Sequence, residues 1–298
     1  MEMNEVIIDE NLKESIDLWT FMLPIISHRT TIRKNIHGYM PLHWHDELQF
    51  VVIIQGEARF QVNEEAIIVQ EGDGLFINSG CLHMAEDGNE SNCVYICLNV
   101  PAQSIISREL YTAYVAPYVQ ATNLPYVLIP SSEMWGQNII EATLNIHQCL
   151  EEQPPYYEMD ITTKLTVIWK SLITNGFPLE YDQSAMIKNQ RMKAMLQWIH
   201  LHYGENIRLD DIAKAGQLSR SECCRYFKRT LKMTPLQYVT DYRIQKSVTL
   251  LQQPESNVTD VAYQVGFNST SYFIDQFRKA MNMTPLRYKK SKLERLID

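Results

Sequence analysis

The segment Met233-Thr234-Pro235-Leu236-Gln237-Tyr238 returns fifty residues later as Met283-Thr284-Pro285-Leu286-Arg287-Tyr288. A repeat of this kind constrains a chain strongly, because each copy must be one supersecondary unit able to pack beside the other. The similarity extends upstream. Ser219, Ser221, Phe227 and Lys228 meet Ser269, Ser271, Phe277 and Arg278 at the same offset, while Asp211-Ile212-Ala213 meets Asp260-Val261-Ala262 at forty-nine. One copy therefore carries an extra residue in its turn.

Each copy reads as a short helix, a turn and a second helix. In the first, Leu209, Ile212 and Ala213 make an apolar i, i+3, i+4 face, the turn lies near Gly216-Gln217-Leu218, and Ser219 with Glu222 forms a capping box for the next helix. In the second, Val258, Val261, Ala262 and Val265 form the face, Gly266-Phe267-Asn268 the turn, and Ser269 the N-cap. The pattern predicts two helix-turn-helix units. Between them Pro235 is expected at the N1 position of a helix running to Leu251 and stopped by Gln252-Gln253-Pro254. Met192, Met195, Leu196 and Ile199 mark an amphipathic helix leading into the first unit.

The formal net charge of -8 hides a division. Residues 188–298 hold 19 Lys and Arg against 10 Asp and Glu, while the rest of the chain holds 8 against 25. The basic part carries the electrostatic footprint of phosphate binding. With 298 residues and 45% hydrophobic content, the chain suffices for two cored domains. The first thirty residues lack the pattern of a signal peptide, and no apolar run approaches the roughly 20 residues of a membrane helix, so a cytoplasmic protein with no membrane partner is expected. The six cysteines lack paired CxxC spacing and are read as free thiols.

Residues 30–99 are different in kind. Short β-branched and aromatic runs at 48–54, 58–62, 66–69, 75–77 and 93–100, separated by turn signals, predict a small barrel or jelly roll. Residues 101–177 turn helical. There Leu165, Ile168, Trp169 and Leu172 share one stripe, read as core, with dimerisation as the other use of such a face. The polar stretch 178–189 is the expected linker.

Together these elements resemble the AraC/XylS regulators. The resemblance rests on Ile212-Ala213 through Ser219 and Phe227-Lys228, on Val261-Ala262 with Gly266-Phe267, Ser271-Tyr272-Phe273 and Phe277-Arg278, and on Thr284-Pro285-Leu286-Arg287-Tyr288. It covers residues 190–290. It implies two recognition helices, 219–231 and 269–281, entering successive major grooves of double-stranded DNA. By position in the family pattern, Arg220, Ser221, Cys224 and Arg225 face bases from the first, and Thr270, Ser271, Ile274 and Asp275 from the second. Arg225 has the strongest chemistry, since a guanidinium pairs bidentately with guanine. Asp275 departs from the pattern, because a carboxylate near phosphates repels unless it accepts from cytosine. Lys228, Arg229, Arg278 and Lys279 divide between solvated face and phosphate contact, whereas Phe227, Phe277, Tyr238 and Tyr288 are read as core. Cys223 shares a slot with Phe273, which argues for packing rather than redox chemistry.

Residues 1–100 resemble the cupin-type sensor domain of the same family. Leu42-His43-Trp44-His45-Asp46-Glu47-Leu48-Gln49 is similar to the first cupin motif, and Glu71-Gly72-Asp73 through Asn78 to His83 to the second. In metal-binding cupins two His and a Glu of the first motif join a His of the second. Here His43, His45 and His83 are present, with Gln49 near the place of the carboxylate. Losing that charge lowers the attraction for an ion, so these four residues are read first as the polar lining of a small-molecule pocket, with metal binding and purely structural histidines as alternatives.

The chain is thus expected to be an α+β two-domain protein, a cupin-like barrel with following helices and an all-α domain with two helix-turn-helix motifs. The resemblance implies a transcriptional regulator, by analogy an activator, that answers a small-molecule effector, forms a homodimer and contacts RNA polymerase, with neither cofactor nor enzymatic activity. The alternatives are a metal-dependent cupin enzyme carrying a nucleic-acid-binding domain, and a regulator controlled by a protein partner.

Overall fold

The computed structural model describes Lys13 and residues 23–35, 38–253 and 255–294. The remainder of the amino-terminal arm and Pro254 of the expected helix stop lie outside the described residues. The chain divides into two compact units, Met1–Ile187 and Lys188–Asp298.

In the first unit, strands β1 (Ile26–Thr31), β2 (Met40–His43), β3 (Leu48–Gln55), β4 (Ala58–Val62), β5 (Glu65–Val69), β6 (Gly74–Ile77), β7 (His83–Asp87) and β8 (Val94–Val100) are followed by α1 (Arg108–Tyr114), α2 (Ala116–Gln120), β9 (Tyr126–Ile129), α3 (Met134–Glu152) and α4 (Tyr157–Ile173). The strands form two antiparallel sheets, ordered β1-β8-β3-β6-β9 and β2-β7-β4-β5. Side chains alternate across a strand, and that alternation sorts the core into two layers. Val51, Ile53, Leu75, Ile77, Tyr95 and Cys97 pack with Phe60, Val62 and Ala85 of the other sheet. Their neighbours Leu48, Phe50, Phe76, Leu98 and Val100 pack against Ile139, Ile146, Leu165, Ile168 and Trp169 of the helices. The five-stranded sheet is thus covered on both faces, which is why β8 is buried throughout its length.

The stripe Leu165, Ile168, Trp169 and Leu172 is fully enclosed, and the Trp169 indole donates to the Tyr114 carbonyl at 2.7 Å. It is core, not an association surface. Within 101–177, read as helical, Tyr126–Ile129 is instead a strand paired to β6, with Gly74 opposite Ile129. Four residues are too few for periodicity to reveal; the open edge of β6 decides their conformation.

The second unit is all helical. Helix α5 (Gln183–His202) enters it, so part of the 178–189 stretch is helical. There follow α6 (Leu209–Ala215), α7 (Arg220–Leu231), α8 (Pro235–Leu251), α9 (Val258–Gln264), α10 (Thr270–Met281) and α11 (Pro285–Glu294). The repeated Met-Thr-Pro phrase is a helix start. The Thr234 hydroxyl accepts from the Gln237 amide at 3.2 Å and the Thr284 hydroxyl from the Arg287 amide at 3.3 Å, with a proline next in each case. Immediately before each phrase, Lys232 and Asn282 adopt φ of 58° and 54° and end α7 and α10. Helix α8 touches α6, α7, α9, α10 and α11, and so ties the two copies together.

The turns differ by one residue, and the structure locates it. The Leu218 amide donates to Ala213 and the Phe267 amide to Ala262, both at 2.9 Å, so the extra residue is Asn268. In the second copy the left-handed turn position is Gly266, at φ 92°. In the first it is Gln217, at φ 53°, not the neighbouring Gly216. Gly216 is required for another reason: a Cβ there would lie 2.7 Å from Cγ of Met195 on α5. Here the glycine serves close packing rather than backbone freedom.

Candidate nucleic-acid interface and barrel cluster

The caps place the two exposed helices in the same frame. At α7 the Ser219 hydroxyl accepts from the Glu222 amide at 3.3 Å, and the Glu222 carboxylate accepts from the Ser219 amide at 3.0 Å. At α10 the Ser269 hydroxyl accepts from the Tyr272 amide at 3.4 Å. Burial of Cys223, Phe227, Thr230 and Leu231 turns Arg220, Ser221, Arg225, Lys228 and Arg229 to solvent, with Cys224 half-buried between. Burial of Phe273 and Phe277 does the same for Ser271, Arg278 and Lys279, with Thr270, Ile274 and Asp275 half-buried. The stripe 220, 221, 224, 225, 228 is repeated at 270, 271, 274, 275, 278, as one helical face requires.

Charge pairing distinguishes the two faces. Nε and Nη2 of Arg220 donate to the two carboxylate oxygens of Asp210 on α6, a fork geometry that ties the two helices of the first copy. Arg220, expected among the base-facing residues, is thereby engaged within the protein. Sequence reasoning missed Asp210, since a partner ten residues away leaves no periodic signal. Arg225 stands on the exposed face near Glu222, whose carboxyl is held below the usual range first by the Ser219 hydrogen bonds and then by the charges of Arg225 and Arg191. The Arg229 guanidinium lies 5.2 Å from the Tyr226 ring centre. In the second copy Asp275 takes up both nearby cations, at 2.7 Å from Lys279 and 3.6 Å from Arg278. The Lys279 hydrogen bond holds its carboxyl below the ordinary value.

The two cores differ in filling. Phe267, Phe273, Phe277 and Tyr288 form a chain of rings 5.2 to 5.7 Å apart in the second copy. In the first, the slot of Phe273 holds the fully buried Cys223, whose thiol burial pushes up to about 12. Such a thiol is not a redox centre. Tyr238 is half-buried and shares a 2.8 Å hydrogen bond with His200, and Tyr288 accepts from Gln252 at 3.1 Å.

In the barrel unit His43 and His83 face each other across the β2–β7 pair, and His45 follows from the connection to β3. Their ring centres lie 4.1, 5.0 and 5.9 Å apart, and all three rings are buried. Each Nδ1 meets a carbonyl two residues away: Pro41 at 2.7 Å, Glu47 at 3.0 Å and Cys81 at 2.9 Å. A carbonyl only accepts, so each Nδ1 carries a hydrogen and Nε2 is the lone-pair nitrogen of the neutral ring. Burial lowers the pKa of His43 to about 4 and of His45 to about 3, which makes both neutral at pH 7.

Gln49 is buried on β3 and lines the same cavity as His28, His43, His83 and Cys97. Its amide nitrogen donates to the Cys97 sulfur at 3.1 Å, while Oε1 has no hydrogen-bond partner among the described residues. The cavity holds about 10 Å³ of free space. That admits one water or ion, whereas organic ligands occupy pockets of roughly 300–1,000 Å³. His28, Cys97 and Asn99 were missed in the sequence, although polar residues on the inward face of an otherwise apolar strand such as β8 were a usable signal.

The metal-binding cupin pattern can be tested against these residues. One ring nitrogen from each histidine lies within 4.8 Å of the others, and ligands of a tetrahedral ion stand about 3.4 Å apart. Closure by at most about 1.4 Å suffices, and hydrogen bonding of the second ring nitrogen to a carbonyl is the orientation metal-bound histidines need. The fourth position offers an amide oxygen in place of a carboxylate. The residues fit an ion, and His43, His45 and His83 would hold it.

A duplicated helix-turn-helix unit with two basic, exposed helices, in a chain whose other unit packs two antiparallel sheets face to face, defines a DNA-binding regulator with a sensory domain. The comparisons agree. The helix-turn-helix domain model matches residues 212–291, and the AraC-like ligand binding domain model matches residues 29–121. The chain is 62% identical over 288 residues to the uncharacterized HTH-type transcriptional regulator YdeC of Bacillus subtilis (strain 168), covering 97% of this chain and 99% of that one. It is 22% identical over 246 residues to the HTH-type transcriptional activator RhaS of Escherichia coli (strain SE11), covering 82% and 86%. Among solved structures, ToxT of Vibrio cholerae O395 superposes with a TM-score of 0.44 at 13% identity, covering 91% and 98%. The chain belongs to the AraC-type helix-turn-helix transcriptional regulators. No helix of the described residues is long and apolar enough to cross a membrane.

Proposed function

We propose that this regulator docks α7 and α10 in successive major grooves of promoter DNA and that occupancy of its barrel sets how well it does so. The observation that carries the reading is the repeated exposed stripe, held in one frame by matching caps and by α8. Ser221, Cys224 and Arg225 read bases from α7, and Thr270, Ser271 and Ile274 from α10. Lys228 and Arg229 contact phosphate, and Arg220 positions α7 through Asp210. Activation is the sign suggested by RhaS, an HTH-type transcriptional activator; a homodimer and a contact with RNA polymerase belong to the same reading. The effector acts at His43, His45, Gln49 and His83, and does so only through different affinities for the two regulatory states.

Footprinting of the full chain is expected to protect two major-groove patches about 34 Å apart, with affinity falling steeply as salt rises. A single short patch, or an affinity indifferent to salt, refutes the two-helix reading.

Asp275 supplies a second test. It neutralises Arg278 and Lys279 on the face turned to DNA, so Asp275→Asn frees two cations and removes a repulsive charge. The variant is expected to bind DNA about three- to tenfold more tightly at low salt, with a salt slope steeper by about one. Weaker binding at every salt concentration would instead make Asp275 an acceptor from a base.

A further inference from the structure

We propose that residues 178–182, between α4 and α5, form a releasable strap clipped to the first unit by Thr122 and Asn123, and that Asn78 is the positioning residue that joins this clip to the two sheets. The inference rests on the reading that the first unit controls DNA binding, and it names the residues through which that control reaches the start of α5.

The composition of this stretch marks a linker, yet it is held along its length. The Thr122 amide and hydroxyl both donate to the Glu180 carbonyl, at 2.8 and 2.9 Å, and the same hydroxyl accepts from the Asp182 amide at 2.8 Å. The Asn123 side chain donates to the Pro178 carbonyl at 2.8 Å and accepts from the Glu180 amide at 2.9 Å. Phe177 and Leu179, alternating with these positions, pack half-buried against the core. The strap ends where α5 begins, since the Asp182 carboxylate accepts from the Ser184 amide and hydroxyl, each at 2.8 Å. Clipped, the strap leaves no unanchored residue before α5. Released, the chain from Gly176 to Asp182 can span up to about 24 Å. The side-chain bonds of the clip lie at the surface, where water replaces them readily, so the strap opens without unfolding the sheets.

The ground beneath the clip is fixed from the sheets. Asn78, 3% exposed in the connection from β6 to β7, donates from its side chain to the Tyr118 and Leu124 carbonyls, both at 2.9 Å, and from its amide to the Pro125 carbonyl at 2.9 Å. These partners flank Thr122 and Asn123 along the chain. The next two residues hold the connection from β2 to β3: the Ser79 hydroxyl donates to the Asp46 carbonyl and the Gly80 amide to the His45 carbonyl, each at 2.8 Å. Both connections cross from one sheet to the other. A shift of the sheets against each other therefore moves Asn78, and with it the segment to which the strap is fastened.

The test is hydrogen exchange of the full chain at the Glu180 and Asp182 amides, with the β3 and β8 amides as reference. Thr122→Val combined with Asn123→Ala removes the clip and should speed exchange at both amides about tenfold, with faster chymotrypsin cleavage after Tyr181. Asn78 bonds to neither amide, so Asn78→Ala is decisive: it should speed the same two amides about as much, and add nothing once the clip is gone. Unchanged exchange at 180 and 182 in Asn78→Ala, or equal speeding in β8, overturns the joint. The clip variant tests the strap even if Asn78→Ala fails to fold. On a DNA fragment that the wild type protects in two patches, reciprocity requires DNA to change strap exchange and the clip variant to change DNA affinity, each by about fivefold or more. Binding tightens if DNA releases the strap and weakens if DNA fastens it. Unaltered DNA affinity in the clip variant overturns the proposal and leaves the regulator reading intact. A wild type that protects no DNA defeats that reading instead, and the exchange measurements still decide the strap and its joint.

Discussion

Phe273→Ala should cost about 3–5 kcal/mol of stability, against about 1 kcal/mol for Cys223→Ala in the equivalent slot of the first copy. Both side chains are fully buried, so exposure does not distinguish them. Volume does. Phe273 sits between Phe267 at 5.2 Å and Phe277 at 5.7 Å, and Phe277 in turn meets Tyr288, so its removal opens a cavity in the middle of the aromatic chain. The first copy relies elsewhere, on Phe227 against Tyr238 and on the stack of His200 and Tyr242 at 3.7 Å. Chemical denaturation measures the costs, and footprinting should show that Phe273→Ala loses one of two protected patches. Equal costs for the two variants would mean that the copies do not share a packing frame.

Arg225→Ala is expected to lose about 1–3 kcal/mol of discrimination, roughly five- to 150-fold, at one base position of the target. Arg220 is forked onto Asp210, Arg229 lies over Tyr226, and Arg278 is near Asp275, whereas Arg225 stands on the exposed face of α7 near the Glu222 carboxylate. Arg225→Lys should not rescue the preference, because an ammonium lacks the planar fork. Lys228→Ala should lower affinity for all sequences alike and reduce the salt slope by about one. Competition against operators mutated one base at a time separates these outcomes; unchanged discrimination in Arg225→Ala refutes the assignment.

The helix-turn-helix duplication was legible because its signals are local. Ser219 with Glu222, Ser269 with Tyr272, and Thr-Pro before α8 and α11 act over three residues, a distance that sequence spacing reports directly. The alternating runs of β3, β4 and β8 were legible for the same reason. The strand at Tyr126–Ile129 was not, since its conformation depends on the free edge of β6 fifty residues earlier. Glycine was misleading in one turn, where Gln217 takes the positive φ and Gly216 makes room for Met195.

The histidine cluster lies between these cases. The resemblance to the two cupin motifs marked His43, His45 and His83 as partners, but their company was hidden. Gln49 meets Cys97 across 48 positions of sequence, and His28 lies opposite Cys97 in the β1–β8 register. Local hydrogen-bond and side-chain preferences thus determined, from the sequence alone, that this chain makes two capped helical repeats and a unit of short strands, while the place of three histidines in it came from the resemblance to the cupin motifs. Only the tertiary structure decided that Asp210 engages Arg220 and how little space the histidine-lined cavity encloses, because strand register and helix contact join residues whose separation along the chain follows no period.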